Sequence, residues 1–290
     1  MTVTASSPTS AAAKKRYARV LSIAGSDSGG GAGIQADLKT CAALGCYGMT
    51  AITAITVQNT LGVSGIHSIP LDTVRGQIDA VVEDIGVDAV KIGMLATPEV
   101  VRVVADAIRR HGLKNVVLDP VMVATSGDRL IAPETAQVLV KELFPLATVI
   151  TPNLDEAAML LGRGIDGIPE LDAAVADLLG MGTPAVLLKG GHLNGDVVMD
   201  VLGQQGQAAS DYLRLQSQRI ATHNGHGTGC TLSSAIASYL AQGLALPEAV
   251  AQARQYILGA IEAGADVYTG QGHGPLNHGY APRAQLIVQS

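Results

Sequence analysis

Short apolar runs rich in β-branched residues alternate along this chain with longer stretches whose apolar positions recur at helical spacing. Residues 20–24 predict a first strand, and residues 34–44 predict the helix that follows it. The same alternation continues to a last helix at residues 247–263. Repeated strand–helix units are typical of a mostly parallel, doubly wound sheet with helices on both faces. The pattern therefore predicts an α/β fold.

The remaining predicted elements continue this order. Further strands are predicted at residues 49–57, 89–92, 115–118, 149–151 and 185–188, and further helices at residues 71–85, 98–111, 133–143, 154–161, 171–179 and 231–242. Residues 197–202 and 212–220 indicate two strands joined by turns, which predicts an antiparallel edge. The sequence shows no linker or internal repeat after residue 17, so residues 18–290 are predicted to form a single domain. Residues 1–17, rich in Ser, Thr and Ala, are predicted to be a disordered tail.

Composition narrows the class of partner. The 290 residues are 48% hydrophobic with a mean hydropathy of +0.30, yet no apolar run is long and unbroken enough to span a bilayer. A net charge of −6, with no Trp and one Phe, disfavours nucleic acid, which requires a basic surface and stacking rings. Cys41, Cys46 and Cys230 form no Cys-x-x-Cys pair and leave an odd count, so a reducing cytoplasm fits better than a disulfide framework. Small molecules are the predicted partners.

The segment Asn-Gly-His-Gly-Thr-Gly-Cys at residues 224–230 carries the strongest chemical signal. Glycines permit a tight turn with its N–H groups on one side, and the helix that follows adds the positive end of its dipole, so the segment favours an anion. A helix start also favours thiolate over thiol, which makes Cys230 a candidate base. The alternative is an ordinary tight turn in which Cys230 is a small buried apolar residue.

The same segment also raises the question of a metal. His223, His226 and Cys230 are all residue types that bind zinc. No fourth ligand lies near them in the sequence, and the intervening glycines fit an anion-binding turn better than a tetrahedral metal site. A zinc site is therefore not predicted.

Residues that directly follow the predicted strands are candidate ligand contacts, because doubly wound sheets bind ligands at the carboxyl ends of their strands. A glycine-rich segment at residues 25–33 follows the first strand, and Asp37 beyond it is a hydrogen-bond acceptor or else a solvated helix residue. Gln58 offers a donor and an acceptor, which suits a heteroaromatic ring with an amino group beside a ring nitrogen. Met94 can lie against a flat ring, although a Met is more often part of a core.

Carboxylates follow two further strands, and a lysine follows another. Asp119 and Glu156 offer hard oxygens that suit Mg²⁺ bound partly through water and phosphate, and Lys189 lies beside glycines as a natural phosphate contact. A dinucleotide site in the glycine-rich segment is a weaker interpretation, because no acidic residue follows a second strand where ribose recognition requires one, and the Lys-Ser/Thr ending of a P-loop is missing.

Seven motifs in order carry a family resemblance. They are Gly-Ser-Asp-x-x-Gly-Gly-Ala-Gly-Ile-Gln-Ala-Asp-Leu-Lys at residues 25–39, Val-Gln-Asn at 57–59, Lys-Ile-Gly-Met-Leu at 91–95, Leu-Asp-Pro-Val-Met at 118–122, Thr-Pro-Asn at 151–153 with Glu156, Lys-Gly-Gly-His at 189–192 and His-Gly-Thr-Gly-Cys at 226–230. From about residue 20 to residue 270, the chain resembles the bacterial hydroxymethylpyrimidine/phosphomethylpyrimidine kinases of thiamine biosynthesis, which belong to the ribokinase-like superfamily. The resemblance implies a three-layer ribokinase-like fold and an ATP- and Mg²⁺-dependent kinase. Such an enzyme phosphorylates 4-amino-5-hydroxymethyl-2-methylpyrimidine and then its monophosphate to the diphosphate, at one site.

The resemblance also implies roles for individual residues. It assigns Cys230 as the base and Gly227, Thr228 and Gly229 as the anion hole; Gln58, Asp37, Gly25, Ala32, Thr56 and Met94 as substrate contacts; Lys189, Asn153 and Thr228 as ATP contacts; and Asp119 and Glu156 as the metal neighbourhood. Two departures matter. Gly225 occupies a position that is usually Thr in this family, and Cys230 stands where sugar kinases of the superfamily carry Asp, which disfavours a sugar substrate.

Other functions remain open from the sequence. A pyridoxal or pyridoxine kinase, or a kinase of dual specificity, is the nearest alternative, because lineages of the superfamily share the Cys-bearing loop. A catalytically silent ligand-binding protein on the same fold is a second, and a dinucleotide-dependent oxidoreductase is a third. The resemblance further suggests a homodimer, although the sequence shows no interface.

Overall fold

The computed structural model describes residues 15–122, 131–191, 193 and 195–289. The strands are β1 (Lys15–Tyr17), β2 (Arg19–Ser26), β3 (Tyr47–Asn59), β4 (Gly62–Ser68), β5 (Ala89–Ile92), β6 (Val116–Leu118), β7 (Val149–Ile150), β8 (Ala185–Leu188), β9 (Val197–Gln204), β10 (Leu213–Gln218) and β11 (Ile287–Gln289). The helices are α1 (Gly33–Ala43), α2 (Leu71–Asp84), α3 (Pro98–His111), α4 (Pro133–Glu142), α5 (Leu154–Leu161), α6 (Leu171–Leu179), α7 (Thr228–Ala241) and α8 (Leu246–Gly264). Within these ranges, no helix has the length and apolar character needed to cross a membrane.

A single sheet of nine described strands forms the centre of the molecule, in the order β10-β9-β8-β7-β6-β5-β2-β3-β4. The strands from β8 to β3 in this order are parallel to their neighbours, whereas β9, β10 and β4 pair antiparallel. The predicted doubly wound sheet with an antiparallel edge is therefore confirmed. The sequence missed β4, because its two glycines and its polar residues lack the apolar alternation of a strand.

Helices cover both faces of the sheet, which gives three layers. One face packs against α2 to α6, and the other packs against α1, α7 and α8. In β2, Leu21 and Ile23 point to the first layer and Val20 to the second. Strands buried on both faces are apolar at consecutive positions, which is why the central strands were legible as continuous apolar runs.

The two ends of the described chain pair with each other. Strand β1 lies antiparallel to β11, and the Tyr17 ring stacks on Tyr47 with ring centroids 6.0 Å apart. Residues 15–17, which were predicted to belong to the disordered tail, therefore form a strand, because they pair with a strand from the far end of the sequence. Residues 1–14 lie outside the described residues.

Candidate active site

A cleft of about 790 Å³ opens at the carboxyl ends of the parallel strands. All but one of the predicted site residues line it, namely Gly25, Ala32, Thr56, Gln58, Met94, Asp119, Asn153, Glu156, Lys189, Gly227, Thr228, Gly229 and Cys230. The exception is Asp37, which lies beneath the surface of the cleft. The residues named from the strand ends and from the family resemblance therefore line one continuous cleft.

The start of α7 forms the anion site at the middle of the cleft. Gly227 caps this helix with a left-handed φ of +86°, and a Cβ at this position would lie 1.8 Å from the carbonyl oxygen of Gly31. Only glycine fits such a close approach without strain. The helix begins at Thr228, three residues earlier than predicted, so the N–H groups of Gly229 and Cys230 precede the first intrahelical bond, which Thr231 donates to Gly227. Unbonded N–H groups at a helix start are suited to phosphate oxygens.

Cys230 does not have the low pKa that its helix position predicted. Burial raises the pKa of its thiol to about 11; the Lys91 ammonium opposes this rise, and the carboxylates of Asp37 and Asp119 add to it. Desolvation of the thiolate therefore outweighs the favourable helix start. The thiol is therefore the main form of Cys230 at neutral pH, and its role as the base stays a prediction.

A buried ion pair lies under Cys230. Lys91 Nζ is 2.8 Å from Asp37 Oδ2, and both side chains are fully buried. The carboxylate also accepts hydrogen bonds from Ser22 Oγ at 2.5 Å and Ser234 Oγ at 2.7 Å. Asp37 therefore has no exposed oxygen for a substrate, and its predicted direct contact does not fit this placement. Its side chain instead holds Lys91 in place.

Lys91 remains a cation in this buried position. Burial alone would lower the pKa of Lys91, but the Asp37 carboxylate, the Cys230 thiol group and the Asp119 carboxylate raise it above its ordinary value. The sequence placed Lys91 in a motif without a role. The structure gives it one, because an ammonium group beside Cys230 favours the thiolate over the thiol.

Asp119 and Lys189 form the second ion pair of the cleft. Lys189 Nζ lies 2.8 Å from Asp119 Oδ1, which also accepts a hydrogen bond from Thr151 Oγ1 at 2.9 Å. Burial raises the pKa of Asp119, but the ammonium groups of Lys189 and Lys91 outweigh it and hold the pKa below the ordinary value. A Cβ on Gly229 would lie 3.2 Å from Asp119 Oδ2 and 3.3 Å from Lys189 Nζ. The anion site and this pair are therefore in contact.

Asn153 and Glu156 form a capping box at the start of α5. Asn153 Oδ1 accepts from the Glu156 N–H, and Glu156 Oε2 accepts from the Asn153 N–H, both at 2.8 Å. Burial raises the pKa of Glu156 to about 7; Lys189 opposes the rise and the Asp119 carboxylate adds to it. Two of the predicted nucleotide and metal residues thus also build the helix end.

Asp119 and Glu156 are side chains of the cleft that could hold Mg²⁺. Within the described ranges, no group of three or more His, Cys, Asp or Glu side chains is placed to hold a metal ion. Mg²⁺ commonly binds through one or two carboxylates together with water and substrate phosphates. Asp119 and Glu156 fit that mode, because a cation near both carboxylates would relieve the like-charge effect that raises the pKa of Glu156.

Gln58 and Met94 form one end of the cleft. Gly25 packs against Met94, since a Cβ on Gly25 would lie 3.1 Å from Met94 Cε. Thr56 Oγ1 donates to the carbonyl oxygen of Ser26 at 2.7 Å and lies 3.0 Å from Gln58 Oε1. A polar amide and an apolar side chain therefore both line the cleft, and their contact with a substrate ring stays a prediction.

Two residues next to Gln58 were missed by the sequence reasoning. Asp27 Oδ2 lies 2.9 Å from Nε2 of His226, a residue 199 positions further along the chain. Both belong to motifs that the sequence singled out, but no local signal pairs them.

The opposite end of the cleft was missed as well. It is lined by Val198, Ile220, Ile257 and Ile261, beside a buried ion pair between Arg254 and Asp200.

This fold and this site define a small-molecule kinase of the ribokinase-like class, with an anion site at a helix start between two ion pairs. The chain belongs to the phosphomethylpyrimidine kinase family, whose sequence model matches residues 27–277. A hydroxymethylpyrimidine/phosphomethylpyrimidine kinase from Rhizobium meliloti is 52% identical over 259 residues, which are 89% of this chain and 96% of that protein.

Solved structures agree with this assignment. Phosphomethylpyrimidine kinase from Clostridium difficile superposes with a TM-score of 0.74 at 43% identity, over 84% of this chain and 99% of its own. An ADP complex of Bacillus subtilis pyridoxal kinase superposes with a TM-score of 0.83 at 40% identity, over 91% of this chain and 98% of its own. The predicted family, enzyme class and ribokinase-like fold are confirmed.

Proposed function

We propose that this chain transfers a phosphoryl group from ATP to the hydroxymethyl group of 4-amino-5-hydroxymethyl-2-methylpyrimidine, and then to the resulting monophosphate. The observation that carries the proposal is the order of groups along one cleft. Gln58 and Met94 lie at one end, the helix start with Cys230 lies at the middle, and the Lys189–Asp119 pair adjoins it. A flat amino-substituted ring at Gln58 directs a reacting oxygen toward Cys230.

In the first step, Cys230 accepts the proton of the substrate hydroxyl as the oxygen attacks the γ-phosphorus of ATP, and the bond from that phosphorus to the bridging oxygen breaks, which releases ADP. Lys91 stabilises the thiolate that acts as the base, and Asp37 keeps Lys91 in position. The N–H groups of Gly229 and Cys230, together with Lys189, stabilise the negative charge of the transferring phosphoryl group. Phosphoryl transfer depends mainly on positioning and charge stabilisation, so these groups suffice for the protein's part.

In the second step, the nucleophile is a phosphate oxygen that already carries negative charge. A base contributes little to such a step, so Cys230 matters less. We propose that Asp119 and Glu156 hold Mg²⁺ together with the nucleotide phosphates, and a bound Mg²⁺ neutralises phosphate charge. Asn153 and Thr228 are proposed to contact ATP, whose base would lie against the apolar end of the cleft.

Pyridoxal kinase activity is the second candidate, favoured by the close superposition with the Bacillus subtilis pyridoxal kinase. The test is a parallel measurement of kcat/KM for the pyrimidine and for pyridoxal at saturating ATP and Mg²⁺. We expect the value for the pyrimidine to be the larger. A larger value for pyridoxal would reverse the assignment, and absence of ATP turnover with either would support a silent binding protein.

We also propose a homodimer in the cytoplasm. Strand β3 presents two exposed apolar side chains near the sheet edge, with Ile55 40% and Val57 62% exposed. Cys41, Cys46 and Cys230 are free thiols, which suits a reducing compartment. Light scattering on Ile55→Glu tests the dimer. We expect this variant to be a monomer. Ile85→Glu, at the residue that directly follows α2, is the control and should leave the dimer unchanged. A monomeric wild type would contradict the proposal.

A further inference from the structure

Asp27 is built to remain a carboxylate inside the protein. Its Oδ1 accepts a hydrogen bond from the Gly29 N–H at 2.8 Å, and its Oδ2 accepts from the N–H groups of Gly31 at 3.1 Å and Ala32 at 2.8 Å. Burial raises the pKa of Asp27, but the hydrogen bonds from His226, Ala32 and Gly29 outweigh it and lower the pKa. An ionised carboxylate can only accept hydrogen bonds.

This carboxylate decides that the His226 imidazole carries a proton on Nε2. His226 Nε2 lies 2.9 Å from Asp27 Oδ2, so Nε2 must be the protonated nitrogen. The ring lies against the Gly31 backbone, since a Cβ on Gly31 would be 2.5 Å from His226 Cδ2, and the backbone N–H of His226 donates to the Gly274 carbonyl. The Nε2 proton is therefore donated to Asp27, and Nε2 offers no lone pair to a neighbouring donor.

The same nitrogen lies beside the side-chain amide of Gln58. Gln58 Nε2 lies 3.4 Å from His226 Nε2, and Gln58 Oε1 lies 3.0 Å from Thr56 Oγ1. In that orientation two N–H donors face each other. The Thr56 hydroxyl donates its proton to the Ser26 carbonyl at 2.7 Å and so offers Gln58 only a lone pair. When the amide is turned by 180°, its NH₂ donates to Thr56, and its oxygen lies beside the Nε2–H of His226, which Asp27 and Gln58 then share.

We propose that Asp27 and His226 are positioning residues for the substrate: the carboxylate sets the Nε2–H tautomer of His226, and His226 sets the orientation of the Gln58 amide. This inference rests on the proposed function. The substrate presents a ring nitrogen, N3, beside its 4-amino group, and an amide binds that edge through one N–H and one oxygen. Reversing the amide requires the ring to turn over, which exchanges the positions of the 5-hydroxymethyl and 2-methyl groups. The amide orientation thus determines which of them faces Cys230.

The first test needs neither substrate nor a variant. Long-range ¹H–¹⁵N NMR of the imidazole nitrogens identifies the protonated nitrogen of His226 in the ligand-free wild-type protein at a pH where the ring is neutral, with His226→Leu used to assign the signal. We expect protonation on Nε2. A neutral ring protonated on Nδ1 would overturn the proposal, whatever the enzyme's substrate proves to be.

The second test removes the charge of Asp27 while preserving its shape. Asp27→Asn can present an amide N–H to His226 Nε2, which favours the Nδ1–H tautomer and releases the orientation of Gln58. We expect the imidazole signal to move toward that tautomer and the KM for the pyrimidine to rise by about tenfold, with the KM for ATP within about twofold of wild type.

Matched variants keep this test decisive. Asp88→Asn is the control. Asp88 also accepts a hydrogen bond from a backbone N–H, that of Arg19 at 2.9 Å, but it lies beside the start of β2, whereas Asp27 directly follows the end of β2. Its kinetic constants should match wild type. His226→Leu removes the donor and leaves the Asp27 loop bonded, so the same rise in the pyrimidine KM is expected even if Asp27→Asn fails to fold. A pyrimidine KM within about twofold of wild type in His226→Leu would refute the role of the pair. If the wild type phosphorylates no pyrimidine, the proposed function fails independently of the tautomer.

Discussion

The pH dependence of the first phosphorylation tests the role of Cys230 most directly. Because burial raises the pKa of the Cys230 thiol to about 11, only about one molecule in a thousand carries the thiolate at pH 8. If the thiolate is the base, kcat/KM for the hydroxymethylpyrimidine should rise about tenfold for each pH unit between pH 8 and pH 10, since kcat/KM reports ionisation of the free enzyme. Glu156, with a pKa of about 7, is already ionised throughout this interval.

The assay compares the two acceptors of the same enzyme. Initial rates of phosphorylated product are measured by chromatography with the alcohol or with its monophosphate, at saturating ATP and Mg²⁺. The monophosphate needs no base, so its profile should be nearly flat over the same interval. This internal comparison separates loss of a base from a general effect of alkaline pH on the protein.

Substitution of Cys230 completes the test. Cys230→Ala should retain the melting temperature and ATP binding, lower phosphorylation of the alcohol by about 10²-fold or more, and remove its pH dependence. Cys230→Asp should restore part of the rate with a flat profile, because a carboxylate is ionised across the interval. A flat wild-type profile for the alcohol, or an equal slope for both acceptors, would refute the assignment of Cys230 as the base.

Three further outcomes are expected. Lys91→Met should lower the free energy of unfolding by about 3–5 kcal/mol, because Asp37 is left buried and unpaired. The double variant Lys91→Met/Asp37→Asn should recover the melting temperature but not the rate with the alcohol. Recovered activity in the double variant would exclude a role for Lys91 beyond the ion pair. Gly227→Ala, at a φ of +86°, should cost about 2 kcal/mol or more in denaturant unfolding, whereas Gly225→Ala, whose Cβ meets nothing within 4 Å, should be near neutral. Glu156 has a folded pKa of about 7 against 4.5 for the ordinary side chain, so its contribution to stability falls as pH rises from about 4.5 to 7. Glu156→Gln keeps the capping box and should flatten the melting-temperature profile over that window; an unchanged profile would contradict the raised pKa.

The sequence by itself determined the order of strands and helices and the edge of the sheet where the site lies. Both follow from local patterns: apolar runs mark strands buried on two faces, and polar residues directly after them lie at the carboxyl ends of a parallel sheet. For this reason the sequence indicated Gln58, Asp119 and Lys189 together, the glycine-rich helix start added Cys230, and all four line one cleft.

Only the tertiary structure decided how the residues of that site are charged and paired. Asp37 was predicted to meet the substrate, but it is enclosed with Lys91, and Cys230 has a raised pKa although a helix start favours its thiolate. The pairing of Asp27 with His226 joins residues 199 positions apart. Burial and long-range contacts depend on how distant segments pack, and no pattern within a short stretch of sequence encodes the desolvation that this packing imposes.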